Sequence, residues 1–186
     1  MILPIIAYGH PILKKRAQDI ENDYEGLQEL IEDMWSTMYN AQGVGLAAPQ
    51  IGKSIRLFLI DTIQVMEDDE KEKGIKQAFI NPTIIEEAGS AWAYEEGCLS
   101  IPNIRGDVER LDSIKIKYFD TEFNEHRVSY DKLNARVIQH EYDHLEGKLF
   151  LDYLKPVKKR LIKRKLESIK RGTISTDYKM KFYRLA

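Results

Sequence analysis

The sequence predicts an α+β fold, on three observations. Leu27, Leu30, Ile31, Met34 and Met38 recur at spacings of three and four, which stacks them on one face of an amphipathic helix. Ile114, Ile116 and Tyr118 alternate with Lys115 and Lys117, the pattern of a half-buried strand. Several short segments of that β type lie among only a few helices, a mixture that belongs to the α+β class.

Taken in order, residues 22–40 form the first helix, with Asn22 and Glu25 spaced as a capping box and Met34, Trp35 and Met38 facing the core. Residues 43–52, GVGLAAPQIG, stop it, because three glycines and a proline cannot continue a helix. Residues 55–61 read as a strand and 64–76, densely charged, as a solvated loop or hairpin tip. Short strands follow at 78–88, 91–95, 104–108, 113–120 and 125–129. A second helix spans 131–146, with Gly147 placed to end it in the left-handed conformation. A third begins near Pro156, tolerated in a first turn, and runs to about Arg171. This gives one domain over 1–171. The extension 172–186 carries Tyr178, Phe182 and Tyr183 and is expected to pack back on the domain as a strand.

At 186 residues, 43% hydrophobic and 31% charged, the chain can bury a core without disulfides. Its net charge of −2 gives no reason to expect a membrane or DNA partner. The single cysteine, Cys98, excludes an internal disulfide and suits an intracellular catalytic or metal role. The apolar start, residues 1–6, is too short to span a membrane and lacks a basic segment before it, so cytoplasmic residence is expected.

His140-Glu141-Tyr142-Asp143-His144 is an HExxH motif inside the second helix. Positions i and i+4 share a face one turn apart, so both imidazoles can bind one tetrahedral metal while Glu141 reaches a water beside it. Leu133 and Val137 lie on that face and would wall the site. Two histidines leave the metal short of a ligand. Glu146 is too close in sequence to wrap round; Asp152, Glu167 and Asp177 lie downstream, and Cys98 lies upstream in Glu95-Glu96-Gly97-Cys98-Leu99-Ser100. A thiolate is a strong ligand for borderline metals, yet a free cysteine is also a common core filler. The residues alone leave these open.

Three segments together resemble the peptide deformylases: Gly43-Val44-Gly45-Leu46-Ala47-Ala48-Pro49-Gln50-Ile51-Gly52, Glu96-Gly97-Cys98-Leu99-Ser100, and Gln139-His140-Glu141-Tyr142-Asp143-His144. The resemblance implies small antiparallel sheets around a central helix carrying HExxH, and hydrolysis of the formyl group from N-formylmethionyl nascent peptides with release of formate. It implies Cys98, His140 and His144 as metal ligands, Glu141 as general base and then acid, and the Gln50 side chain and Leu99 N–H as donors to the oxyanion. It implies that Val44-Gly45 and Gly97 pair with the substrate main chain, and that Val44, Leu133 and Val137 wall the methionine pocket. Arg136 departs from the apolar residue of enterobacterial relatives; it is expected to offer its aliphatic stem, which leaves pocket width open. Arg105 is assigned to the substrate tail or to plain solvated surface, and Arg110 to a structural pair with Glu96. The implied physiological metal is Fe²⁺, with Zn²⁺, Ni²⁺ or Co²⁺ able to replace it.

Residues 155–171 hold nine lysines and arginines against one acid, Glu167, with Val157, Leu161 and Ile162 as a narrow apolar stripe. This is a solvated helix docked by that stripe, or an RNA-facing helix that holds the enzyme at the ribosome. Two other functions compete with deformylation. One is a peptidase that uses HExxH on internal amide bonds; the other is an RNA-binding module with a structural metal.

Overall fold

The computed structural model describes residues 1–183. In chain order its elements are β1 (Ile5–Ile6), α1 (Leu27–Asn40), β2 (Gly45–Ala47), β3 (Leu57–Asp61), β4 (Lys76–Cys98), β5 (Ile101–Phe119), β6 (Glu125–Asp131), α2 (Lys132–Leu145), α3 (Pro156–Arg171) and β7 (Met180–Lys181). Strands β2-β3-β4-β5-β6 form one antiparallel sheet, and β1 pairs with β7 in a parallel two-stranded ribbon.

The segments expected as separate short strands are joined. Residues 78–88 and 91–95 are parts of β4, and 104–108 and 113–120 are parts of β5. Register shifts break the β4–β5 ladder at Ile80/Thr83, Ile84/Glu86 and Ala88/Ala91. Asn81 (φ 48°), Pro82 and Gly89 (φ 84°) fall within these breaks. A bulge bends a strand without ending its pairing, so the two long strands serve two packing surfaces. From Asn103 to Arg110, β5 alternates exposed and buried residues, putting Ile104, Val108 and Arg110 on the inner face.

Helix α2 lies against β2, β3, β5 and β6 and is buried along most of its length. Phe58, Phe79 and Tyr118 stack beside it, and Ala135, Ile138 and Leu145 complete that core. Burial of an aromatic or aliphatic side chain of this size contributes roughly 1.5–3 kcal/mol. Met34 and Met38 of α1 pack on Leu46, Leu57 and Leu59 from the other side, as the stripe predicts.

Three expectations need correction. Helix α1 starts at Leu27, not residue 22: Gly26 caps it in the left-handed conformation, and no side chain caps its first turn, so Asn22 and Glu25 form no capping box. The third strand begins at Leu57 rather than residue 55. Helix α3 docks through Ile162, Leu166 and Ile169, while Val157 and Leu161 stay exposed. The remaining helix bounds hold to within a residue, and Gly147 is left-handed just past α2.

Candidate metal centre

Two elements meet at the site. Helix α2 presents His140 and His144 one turn apart, with ring centroids 5.2 Å from each other. The β4–β5 hairpin presents Cys98 at its tip, since Cys98 pairs with Ile101 across a two-residue turn of Leu99 and Ser100. The Cys98 Sγ and one ring nitrogen of each histidine lie within 4.8 Å of one another. The sulfur is 3.3 Å from His144 Nε2. Among the described residues no other His, Cys, Asp or Glu joins this group. Of the other carboxylates, Glu146 is engaged with Arg56, Asp152 with Lys14 and Glu167 with Lys170, while Asp177 is exposed on the cleft rim and does not join the three donors.

The residues fit a metal. A soft sulfur and two imidazole nitrogens converge, a donor set suited to a borderline divalent ion with a position left open. His140 Nδ1 is already engaged by Glu96 Oε2 at 2.8 Å, which turns the other ring nitrogen toward the cluster. Glu141 Oε2 is buried with no hydrogen-bond partner in the structure, an orphaned oxygen beside the three donors.

Electrostatics separate the two glutamates. Burial alone would raise Glu96, but hydrogen bonds from His140 and Arg110 hold its carboxyl well below the usual carboxylate range. Arg110 grips both of its oxygens, at 2.7 and 3.0 Å, and Arg136 adds a third guanidinium contact at 2.9 Å. Glu141 has no such partner; burial pushes it up to about 7, against the pull of His140. Burial works against charge on both histidines. Hydrogen bonds that His140 donates to Cys98 and Glu96 nevertheless hold it above its ordinary value, whereas His144 is driven below it by burial and by charged His140.

Around these groups runs a cleft of about 850 Å³. Val44, Gly45, Gln50, Gly97, Leu99, Arg105, Leu133 and Val137 all line it, so every substrate or catalytic position expected from the sequence reaches one cavity. Gln50 Oε1 accepts from Ala47 N at 2.8 Å, which aims Nε2 at Cys98 Sγ, 3.4 Å away, and Ser100 Oγ, 3.3 Å away. At Gly45 an added Cβ would sit 2.7 Å from Glu141 Cδ, so only glycine lets the edge strand β2 close over that carboxyl. Gly97 carries no such constraint: a Cβ there comes no nearer than 3.4 Å to any neighbour, Arg105 Cγ being the first it meets. Arg105 is largely exposed and loosely paired with Glu95 at 3.9 Å.

One expectation fails. Arg136 does more than offer its stem: its guanidinium is itself buried, bonded to Glu96, to Val108 O at 2.9 Å and to Trp92 O at 2.6 Å, and stacked over the Trp92 ring. Sequence reasoning also missed that Glu96 engages His140 as well as Arg110. Strand periodicity carried the signal, because Glu96 and Cys98 are two residues apart and therefore share a face. Asp143, inside HExxH, was missed too; it takes Arg110 at 2.8 Å and the Tyr153 hydroxyl at 3.0 Å. So was Tyr178, whose hydroxyl donates to Leu99 O at 2.7 Å, and whose phenol is raised by burial and then by Cys98.

A helix bearing HExxH, a thiol brought to it from a hairpin and a glutamate kept dry at about 7 define the class: a metal-dependent hydrolase. The chain belongs to the polypeptide deformylase family, whose model matches residues 2–160. It is 57% identical over 189 residues to the peptide deformylase of Christiangramia forsetii, covering 98% of this chain and 96% of that protein. It is 54% identical to that of Cytophaga hutchinsonii, covering 98% of each. The crystal structure of a peptide deformylase from Legionella pneumophila superposes with a TM-score of 0.81 at 39% identity, over 93% of this chain and 98% of that one. The enzyme is thus a metal-dependent hydrolase that removes the formyl group from N-formylmethionyl peptides by cleaving a formamide C–N bond.

Proposed function

We propose that Cys98, His140 and His144 hold the metal and that Glu141 carries the proton. The observation that carries this reading is the convergence of three donor atoms within 4.8 Å beside a buried, unpartnered Glu141 oxygen. A divalent ion in such a site lowers the pKa of water toward neutrality and polarises a carbonyl oxygen. Glu141 accepts the proton of the attacking water and returns it to the departing amine, and a carboxyl at about 7 is suited to both transfers. As the formyl carbon becomes tetrahedral, its oxygen gains charge. Gln50 Nε2 and the Leu99 N–H donate to that oxygen, each worth roughly 2.7–4 kcal/mol in the transition state.

The substrate lies along the cleft. Gly45 begins the edge strand β2 and Val44 directly precedes it, where an extended peptide can add as a strand, with Gly97 on the facing strand. Leu133 and Val137 wall the methionine pocket, and Arg105 meets the peptide beyond it. With the Arg136 guanidinium buried in the ion network, the pocket floor there is a neutralised surface rather than a free charge. Fe²⁺ is the proposed physiological metal, on the family resemblance; the donor set accommodates Zn²⁺, Ni²⁺ or Co²⁺ as well. The exposed cations of α3 support docking to ribosomal RNA, and no helix among the described residues is long and apolar enough to cross a membrane. With the lone free thiol, this favours work in the cytoplasm, where nascent peptides emerge.

The test compares Glu141→Gln with the parent. Metal per chain should be unchanged, while formate release falls by roughly 10²–10⁴-fold. A Glu141→Gln protein with near-normal turnover would end this assignment.

A further inference from the structure

Residues 172–183 lie beyond the stretch that the family model matches, and none of the roles above falls on them. After α3 the chain turns at Gly172 (φ 68°) and runs back over the body. It is tied down beyond the turn by β7, which pairs Met180 with Ile5 and Lys181 with Ile6. Between turn and tether, Ser175, Thr176, Asp177 and Tyr178 line the cleft that holds His140 and Glu141. Thr176 Oγ1 donates to Tyr178 O at 2.8 Å and keeps the segment compact. The Tyr178 hydroxyl then reaches the hairpin turn and donates to Leu99 O. The next carbonyl of that turn, Ser100 O, accepts from Tyr8 N at 2.8 Å. The turn is therefore held by both ends of the chain, one carbonyl each.

We infer that Ser175–Tyr178 is a wall of the substrate site that meets the residues following formylmethionine, and that Tyr178 is a positioning residue for Leu99. The second half rests on the reading in which the Leu99 N–H faces the developing oxyanion. A donor serves an oxyanion only when held at about 2.7–3.1 Å from where the charge develops. Fixing the carbonyl of the same residue holds the Leu99–Ser100 peptide plane and, across the φ and ψ of Leu99, restrains the neighbouring plane that carries the N–H. On the rim, Asp177 is exposed and forms no ion pair among the described residues, whereas Glu95 and Arg105 face each other. A peptide passing along this wall therefore meets an uncompensated negative charge.

Two variants of the full-length, metal-loaded enzyme test both halves by formate release. Tyr178→Phe keeps the ring and loses one hydrogen bond. It should lower kcat about 2- to 12-fold on formylmethionyl peptides, with a smaller change in KM. Metal per chain should match the parent and the melting temperature should fall by no more than about 6 °C; the fall in kcat with little change in KM is the readout that a merely structural role would not move. Asp177→Lys should lower the ratio of kcat/KM for formyl-Met-Ala-Lys over formyl-Met-Ala-Glu by about threefold or more. Gln50→Ala runs beside them. If it collapses turnover while Tyr178→Phe leaves kcat alone, the oxyanion reading stands and the positioning role is overturned. If neither variant lowers kcat, the oxyanion reading falls and the Tyr178 role with it. An unchanged Lys-to-Glu ratio in Asp177→Lys overturns the wall.

Discussion

Replacing Glu96 with Gln should be the most destabilising single change in the site that leaves its three donor atoms in place. The Glu96 side chain is 4% exposed, and those of Arg110 and Arg136 are 5% and 2%. Four donors converge on its two oxygens: Arg110 Nε and Nη2, Arg136 Nη1 and His140 Nδ1. An amide offers one acceptor oxygen and turns its NH₂ against the remaining donors. With its oxygen at the Oε1 place the amide still accepts from Arg110 Nε and Arg136 Nη1 but carries no charge, and its NH₂ faces Arg110 Nη2 and His140 Nδ1. Asp143 is then the one carboxylate left to Arg110, and Arg136 has only the carbonyls of Trp92 and Val108 besides the amide. Breaking a buried charge pair by removing one partner costs roughly 3–5 kcal/mol. At roughly 2–4 °C per kcal/mol for a chain of this size, the melting temperature should fall by about 6–20 °C. Loss of the His140 partner should also weaken the metal about 10–100-fold. Arg136→Met should cost less, because Glu96 retains Arg110 and His140, and the double variant should be less destabilised than the sum of the two. Thermal melts followed by circular dichroism, with chelator competition for the metal, read both quantities. A Glu96→Gln protein melting within about 2 °C of the parent, with unchanged metal affinity, would refute the network argument.

Cys98→Ala should lower metal content and abolish formate release together; full metal and full activity would return Cys98 to the core. His140→Ala and His144→Ala should each lose metal and turnover in parallel, checked by elemental analysis beside the assay. Chelation of the parent should lower its melting temperature, by about 2.7 kcal/mol of stability if the metal had been present at 100 times its Kd. Charge reversal at Lys158, Lys159, Lys163 and Arg164 should leave small-peptide turnover nearly unchanged and weaken ribosome co-sedimentation in a salt-dependent way, whereas unaltered co-sedimentation at low salt would leave α3 a solvated face. His126, then the Asn124 N–H, hold Asp120 at about 2, below its ordinary 3.8. Its contribution to stability is therefore present above about pH 4 and lost as pH falls through about 2, so Asp120→Asn should flatten that acid limb of the melting profile.

The helices were legible where periodicity and punctuation agreed. The stripe ending at Met38, Gly147 after α2 and Pro156 before α3 each mark a boundary that the backbone follows. The start of α1 was not, because Asn22 and Glu25 have cap-forming side chains but Gly26 is the residue whose backbone turns. Strand continuity was hidden for a related reason. Gly89 falls in the gap between the expected strands 78–88 and 91–95, yet in a bulged ladder it bends the chain while pairing resumes beyond it. The donors on α2 could be read from a spacing of four on one helix. Cys98 could not be chosen over the downstream carboxylates that way, since its approach depends on the register of a hairpin 42 residues away from His140. Arg136 misled because a long cation beside a pocket is ordinarily solvated; Trp92, Val108 and Glu96, which bury it, come from two strands that no local pattern joins to α2.

These missed residues explain why Glu141 stands apart. Every other carboxylate buried round the site is answered by a cation. Glu96 has Arg110, Arg136 and His140, and Asp143 has Arg110 with the Tyr153 hydroxyl. Had one of those guanidiniums been free to turn toward Glu141, its carboxyl would be held ionised and would make a poor proton donor. Because both are committed to Glu96 and Asp143, Glu141 feels chiefly the loss of water, made tighter by the bare backbone of Gly45 above it, and rises to about 7. Proton exchange at neutral pH therefore depends on neutralisation elsewhere. The residues that never touch the substrate are the ones that keep Glu141 free to gain and lose a proton.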